Sequence, residues 1–169
     1  MKKAAFLALF IGLLLVRCDM FDKAAGEEYA AATKRWNDGD YQAAVGLYFD
    51  LVKKHPSSPK ADAALYWAGV TQFLYLGEPE KALQTLRLLL KAYPQRDMAP
   101  AAQWYIAQIY ELGYRDYVQA IQEYRKAAAY SDRDVREKSL YSVADCLFRI
   151  GRIPEARETW LQQVAEFPN

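Results

Sequence analysis

The sequence is poor in the side chains that catalysis and metal binding draw on, with one His and two Cys in 169 residues. His55 cannot build a metal site alone, and Cys18 and Cys146 form no zinc-ligand spacing. No phosphate-binding glycine loop and no nucleophile motif occurs. An enzyme is therefore not expected, nor a cofactor or a metal. Neither sign of charge prevails: 22 basic and 21 acidic side chains are mixed along the chain for a formal charge of +1. That excludes the basic stripe a nucleic-acid binder needs. Long apolar runs are scarce too. The uncharged stretch Ala4–Val16 holds thirteen residues, short of the roughly 20 that span a bilayer. What the chain does have is 53% hydrophobic residues, thirteen Tyr and four Trp, which places it among globular proteins, rich in aromatics and leaning toward binding surfaces.

The uncharged stretch follows Met1-Lys2-Lys3, so residues 1–17 have the layout of a secretory signal, a basic start and then a short apolar segment. A short membrane anchor or a buried core helix is the alternative. Leu15-Val16-Arg17-Cys18 resembles the lipobox of bacterial lipoproteins, although Arg17 stands where that motif has Gly, Ala or Ser. The resemblance implies lipidation of Cys18, attachment to a membrane through that lipid, and a tether over residues 18–25. Asp19 in the second mature position resembles the inner-membrane retention signal of enteric lipoproteins, so an inner-membrane site stands beside the favoured outer-membrane one. Removal of Lys2, Lys3 and Arg17 leaves 22 − 3 = 19 basic against 21 acidic side chains, a mature charge of −2. A basic surface for anionic lipid is then not expected.

A fixed period organises the rest. Gly39, Gly77, Gly113 and Gly151 recur at spacings of 38, 36 and 38, and Ala44, Ala82, Ala120 and Ala156 at 38, 38 and 36. Tyr48, Leu86, Tyr124 and Trp160 stand four residues after each Ala, and Pro56, Pro94 and Pro168 close three of the units. The glycine supplies a positive-φ turn between two helices. The Ala shares a helical face with the large residue four positions on, admitting the facing helix beside it. Asp40, Pro79 and Pro154 are good helix starts. The pattern predicts an all-α fold with eight helices over about 22–37, 41–55, 59–76, 79–93, 99–112, 116–130, 134–150 and 153–167. Packed against their neighbours, these form an α-solenoid of about four helix-turn-helix repeats, 26–58, 59–97, 98–133 and 134–169.

The run Gly39, Tyr41, Ala44 and Tyr48, closed by Pro56, resembles the tetratricopeptide repeat (TPR), and the likeness covers about 26–168. Repeat three departs most, with Tyr114-Arg115 extending its turn and Asp132 where Pro is usual. The segment His55–Gly69 is similar to the inter-repeat segment of periplasmic TPR proteins of the BamD-like and Tol-Pal-associated kinds. This narrower resemblance implies a scaffold that binds envelope proteins, foremost in outer-membrane protein assembly. Tol-Pal or cell-wall coordination, or a structural subunit of a secretion or pilus machine, is the alternative.

Members of the repeat family bind peptides along the first helix of each pair. Here those helices repeat an aromatic at Tyr29, Trp67, Trp104 and Tyr141, spaced 38, 37 and 37. These rings are either inter-repeat core or binding anchors. One turn on, Thr33, Trp36, Thr71, Tyr75, Gln108, Glu111, Asp145, Phe148 and Arg149 are the expected groove surface, suited to an extended or helical peptide. His55 reads as a turn residue at a helix C-terminus, and Asp38, Asp40, Glu78 and Glu80 as turn and cap residues. Cys146 reads as a buried thiol, with a Cys18–Cys146 disulfide as the alternative. The last helix presents Trp160, Leu161, Val164 and Phe167, an apolar face that a terminal repeat should not expose. Either a partner or a second copy meets it, giving self-association through the last repeat, or the protein continues.

Overall fold

In the computed structural model, residues 23–168 are described, and all their regular structure is helical. The expected signal peptide, the lipidation site Cys18 and Asp19 lie outside the described residues. Helix α1 covers residues 23–37. It is followed by α2 (Tyr41–Lys54), α3 (Ala61–Leu74), α4 (Pro79–Ala92), α5 (Ala99–Gln108), α6 (Tyr117–Ala128), α7 (Arg133–Arg149) and α8 (Ile153–Glu166). The architecture is an α-solenoid of helical pairs, as the period predicts.

The helix ends follow from local chemistry. Asp40, Asp116 and Asp132 are N-caps whose carboxylates accept from the backbone N–H of Ala43, Gln119 and Val135 at 3.3, 3.0 and 2.8 Å. Each satisfies a donor that the first helical turn leaves without a partner. Asp132 thus serves repeat three as a cap where the family pattern has Pro. Pro79 opens α4, and Pro154 sits in the first turn of α8. Gly39, Gly77 and Gly151 have φ of 80°, 66° and 80°, the left-handed turn expected of them.

Gly113 departs from that expectation. Beyond Gln108, α5 continues as a π-helical turn over Ile109–Gly113, and the positive φ passes to Arg115, at 55°. A π turn accommodates one extra residue in a helix, so the turn of repeat three closes two residues later than its glycine.

The described residues form two compact units that divide between Ala68 and Gly69, inside α3. In the first, α2 buries Ala44, Tyr48 and Leu51, while Ala61, Ala64, Leu65 and Ala68 are fully buried on α3. The small and large residues predicted to share the face of α2 do so. In the second unit, α4 to α8 pack in chain order, each against the next, and α5 also meets α7. Ala107, Ala120, Tyr124, Cys146, Leu147 and Ala156 are among the residues that form one buried cluster across α5–α8. Fully buried Leu86, Leu89, Ile106, Ile109 and Leu147 each contribute roughly 1.5–3 kcal/mol of apolar transfer free energy. Buried polar groups interrupt this core, among them Thr85 Oγ1, which donates to Gln72 Oε1 at 2.7 Å.

Candidate functional site

The first unit brings together Trp36 and Trp67, with ring centroids 6.1 Å apart at 61°. Tyr41 packs 5.8 Å from Trp36, and Tyr66 5.4 Å from Trp67. Such edge-on pairs hold large rings in place without burying them fully. Trp67 is 37% exposed, because Ala64, Leu65 and Ala68 take the buried side of α3 and leave position 67 facing outward.

Tyr29 is half-buried, 5.6 Å from the Tyr48 ring, with Lys60 Nζ 5.5 Å from its own ring centroid. Burial, then the neighbouring Tyr48 and Asp62, push its hydroxyl up to about 12. Thr33 donates to the Tyr29 carbonyl at 3.0 Å and stands 3.3 Å from Tyr48 Oη. Its hydroxyl is committed to the fold and offers little to a groove.

In the second unit, Thr71 is fully buried and is not groove surface. From Ala68 to Gln72 every residue of α3 is buried, so the helix is enclosed all round there and the amphipathic argument for Thr71 fails. Tyr75, by contrast, is 44% exposed. Gln108 and Glu111 are half-buried, and Glu111 Oε2 accepts from Tyr124 Oη at 2.7 Å. Glu111 is thereby engaged in the protein's own packing.

Trp104 is half-buried and packs 6.3 Å from the Tyr124 ring, while Lys138 Nζ stands 4.1 Å from its centroid. This is a cation–π contact from α7 to α5. Burial lowers the Lys138 ammonium below its ordinary pKa against the opposing pull of Asp132 and Asp134. Sequence reasoning missed Lys138, although its place one turn before Tyr141 on the same face of α7 was a signal.

Tyr141 and Phe148 are 57% and 53% exposed. Arg149 Nε donates to Asp145 Oδ2 at 2.6 Å, and its guanidinium lies 5.9 Å from the Tyr117 ring. The Phe148 ring packs 6.0 Å from Trp160. A hollow of about 390 Å³ lies beside Tyr141, lined by Asp134, Glu137, Lys138, Tyr141 and Gln163. Two aromatic rings, a tethered cation and the carboxylates of Asp134 and Glu137 can grip a side chain or a helix. Cys146 is fully buried with a free thiol, and burial pushes its pKa up to about 12, so it is not a nucleophile at neutral pH.

A sequence profile described as the tetratricopeptide repeat matches residues 29–97 and 71–134. No curated protein sequence matches the chain. Among solved structures, a tetratricopeptide repeat protein from Parabacteroides merdae superposes with a TM-score of 0.70 at 16% identity, covering 85% of this chain and 53% of that one. MamA from Desulfovibrio magneticus RS-1, residue 41 to its end, gives 0.63 at 21%, covering 83% and 74%. PilW, described as a widely conserved type IV pilus biogenesis factor, gives 0.65 at 16%, covering 86% and 63%. At these identities the likeness is one of fold.

Proposed function

The chain belongs to the tetratricopeptide repeat family, and on that footing we propose that it is a lipid-tethered scaffold of the bacterial periplasm that binds segments of other envelope proteins. A fold of this kind is a protein-interaction scaffold. The observation that carries the binding role is the pair of outward-facing aromatics at equivalent positions of two first helices, Trp67 in the first unit and Tyr141 in the second, at 37% and 57% exposure. Isolated exposed apolar residues are ordinary. Large exposed rings at equivalent repeat positions are what aromatic anchoring of a peptide uses.

The tether rests on the N-terminal sequence: a basic start, thirteen uncharged residues and Cys18 with Leu15 three before it. The resemblance of the segment His55–Gly69 and of the lipidated N-terminus to BamD-like proteins favours outer-membrane protein assembly, with the outer membrane as its site and the inner membrane as the alternative because of Asp19. PilW's description as a pilus biogenesis factor supports the second reading, a subunit of a pilus or secretion machine. The test is in-cell photocrosslinking from position 141 or 67 of the full chain, followed by mass spectrometry. Barrel-assembly subunits among the crosslinked proteins support the first reading and pilus or secretion subunits the second. Recovery of cytoplasmic proteins alone would remove both. Labelled palmitate that enters the protein equally with and without Cys18→Ser would end the lipid tether.

A further inference from the structure

A repeat fold allows a side chain that fills a place in one repeat to be compared with its counterpart in the next. Where α5 meets α6, Gln103 is buried, and its Nε2 donates to Glu123 Oε2 at 2.7 Å and to the Glu123 carbonyl at 3.3 Å. One repeat on, Leu140 stands for Gln103 at a spacing of 37 and Thr159 for Glu123 at 36. Both are shorter, and Leu140 has no polar group with which to make that bridge. Ala128 likewise stands for Leu90 at 38. These three exchanges all remove bulk from one place, and a hollow of about 290 Å³ lies there, bounded by α6, α7 and α8.

One exchange runs the other way and brings charge. Arg136 stands for Ala99 at 37, and with Arg125 it gives the hollow two guanidinium groups, while no acidic side chain lines it among the described residues. Arg136 Nη2 stands 2.5 Å from Glu166 Oε1, and Nη1 donates to the Ala128 carbonyl at 3.3 Å. A guanidinium has five N–H donors, and Nε of Arg136 is buried without an acceptor among the described residues. Arg136 therefore has capacity for a second anion beside Glu166.

The remaining surface decides which anion. Leu140 and Val143, both buried, also line the hollow. A dianion such as phosphate would bring two charges beside the Glu166 carboxylate and set a strongly hydrated group against this apolar surface. A single charge on a hydrocarbon body meets both halves of the lining.

We propose that the hollow binds a carboxylate carried on a short aliphatic body, with Arg125 and Arg136 on the carboxylate and Leu140 and Val143 against the hydrocarbon. Its volume of about 290 Å³ is at the small end of ligand sites and equals the share of roughly ten waters in the liquid, room for an acid of a few carbons. The carboxylate comes from a free acid or from the glutamate side chain of a partner protein. The site uses none of the residues on which the scaffold reading rests, so the two stand or fall separately.

The test is a titration of the methyl-labelled full chain with sodium 4-methylpentanoate at constant ionic strength, following the Leu140 and Val143 methyl resonances by NMR. Saturable shifts with a Kd below about 10 mM are expected, and the uncharged 4-methylpentan-1-ol should bind at least about tenfold more weakly. Arg125 is exposed, so Arg125→Gln should weaken binding about threefold with the Tm unchanged. Leu140→Gln combined with Thr159→Glu rebuilds the bridge of the earlier repeat and should abolish binding, read at Val143, with the circular dichroism unchanged. N-acetylglutamate α-methylamide separates the sources: tighter binding than 4-methylpentanoate assigns the site to a partner's glutamate, weaker binding to a free acid. Equal affinity for acid and alcohol, binding that survives the double variant, or no saturation up to about 50 mM overturns the proposal. Failure of the in-cell crosslinking would remove the envelope reading while leaving this result intact.

Discussion

Tyr124 and Glu111 are joined by a 2.7 Å hydrogen bond that ties the π-helical end of α5 to the middle of α6. The Tyr124 ring is fully buried in the cluster that α5 to α8 share, so one side chain closes the core and satisfies the carboxylate at its edge. Tyr124→Phe keeps the ring and should cost about 1.5–3 kcal/mol, the loss of a hydrogen bond to a carboxylate. Tyr124→Ala should cost about 3–5 kcal/mol, because a cavity is added. Urea unfolding at neutral pH measures both, and equal losses for the two variants would show that packing of the ring contributes little.

Gly69 gives a second prediction, of opposite sign to that expected from helix propensity. Alanine inside a helix is ordinarily better than glycine by about 1 kcal/mol. A Cβ at position 69 would lie 2.7 Å from both Cγ and Cδ2 of Leu86, which is itself fully buried. Overpacking of this kind costs roughly 1–3 kcal/mol, so Gly69→Ala should lower the Tm. A raised Tm would mean that α3 and α4 separate freely at this contact.

The helices were legible because Gly, Ala and the large apolar residue recur every 36 to 38 positions, and each of those types has one role in packing two helices. The π turn was not, since Gly113 keeps the glycine period while Arg115 takes the positive φ. Nothing in the identity of Arg115 announces a left-handed conformation. The candidate site was partly legible for the same reason. Positions 67 and 141 face outward, whereas Thr71 is enclosed because α3 is buried all round between Ala68 and Gln72. Periodicity reports the face toward one neighbour and is silent about a second helix on the other side.

Position on the surface separates Tyr141 from Trp104 in the next prediction. With Tyr141 57% exposed, Tyr141→Ala should change stability by no more than about 0.5 kcal/mol. Trp104 packs against Tyr105 and Tyr124 at 5.2 and 6.3 Å and carries Lys138 on its face, so Trp104→Ala should cost at least about 2 kcal/mol. Binding lost on Tyr141→Ala with the melting transition intact would mark a recognition residue. A collapse of the transition would instead return Tyr141 to the core.

Alkaline pH should unfold the protein from the inside. The Cys146 thiol rises from 9.0 to about 12 through burial and then the carboxylates of Glu111 and Asp145, and the Tyr29 hydroxyl rises from 10.0 to about 12. Burial and the bond to Glu111 raise Tyr124 as well. A raised folded-state pKa means that the folded chain keeps protons the unfolded chain releases. The stabilisation is complete below pH 9, where both states hold the protons, and it drains away between 9 and about 12. Urea midpoints should therefore be level up to pH 8 and fall steeply from 9 to 11. Cys146→Ala should remove the part of the decline that begins near 9 and leave the tyrosine part that begins near 10. A midpoint flat to pH 11 would show that water reaches these groups in the folded protein.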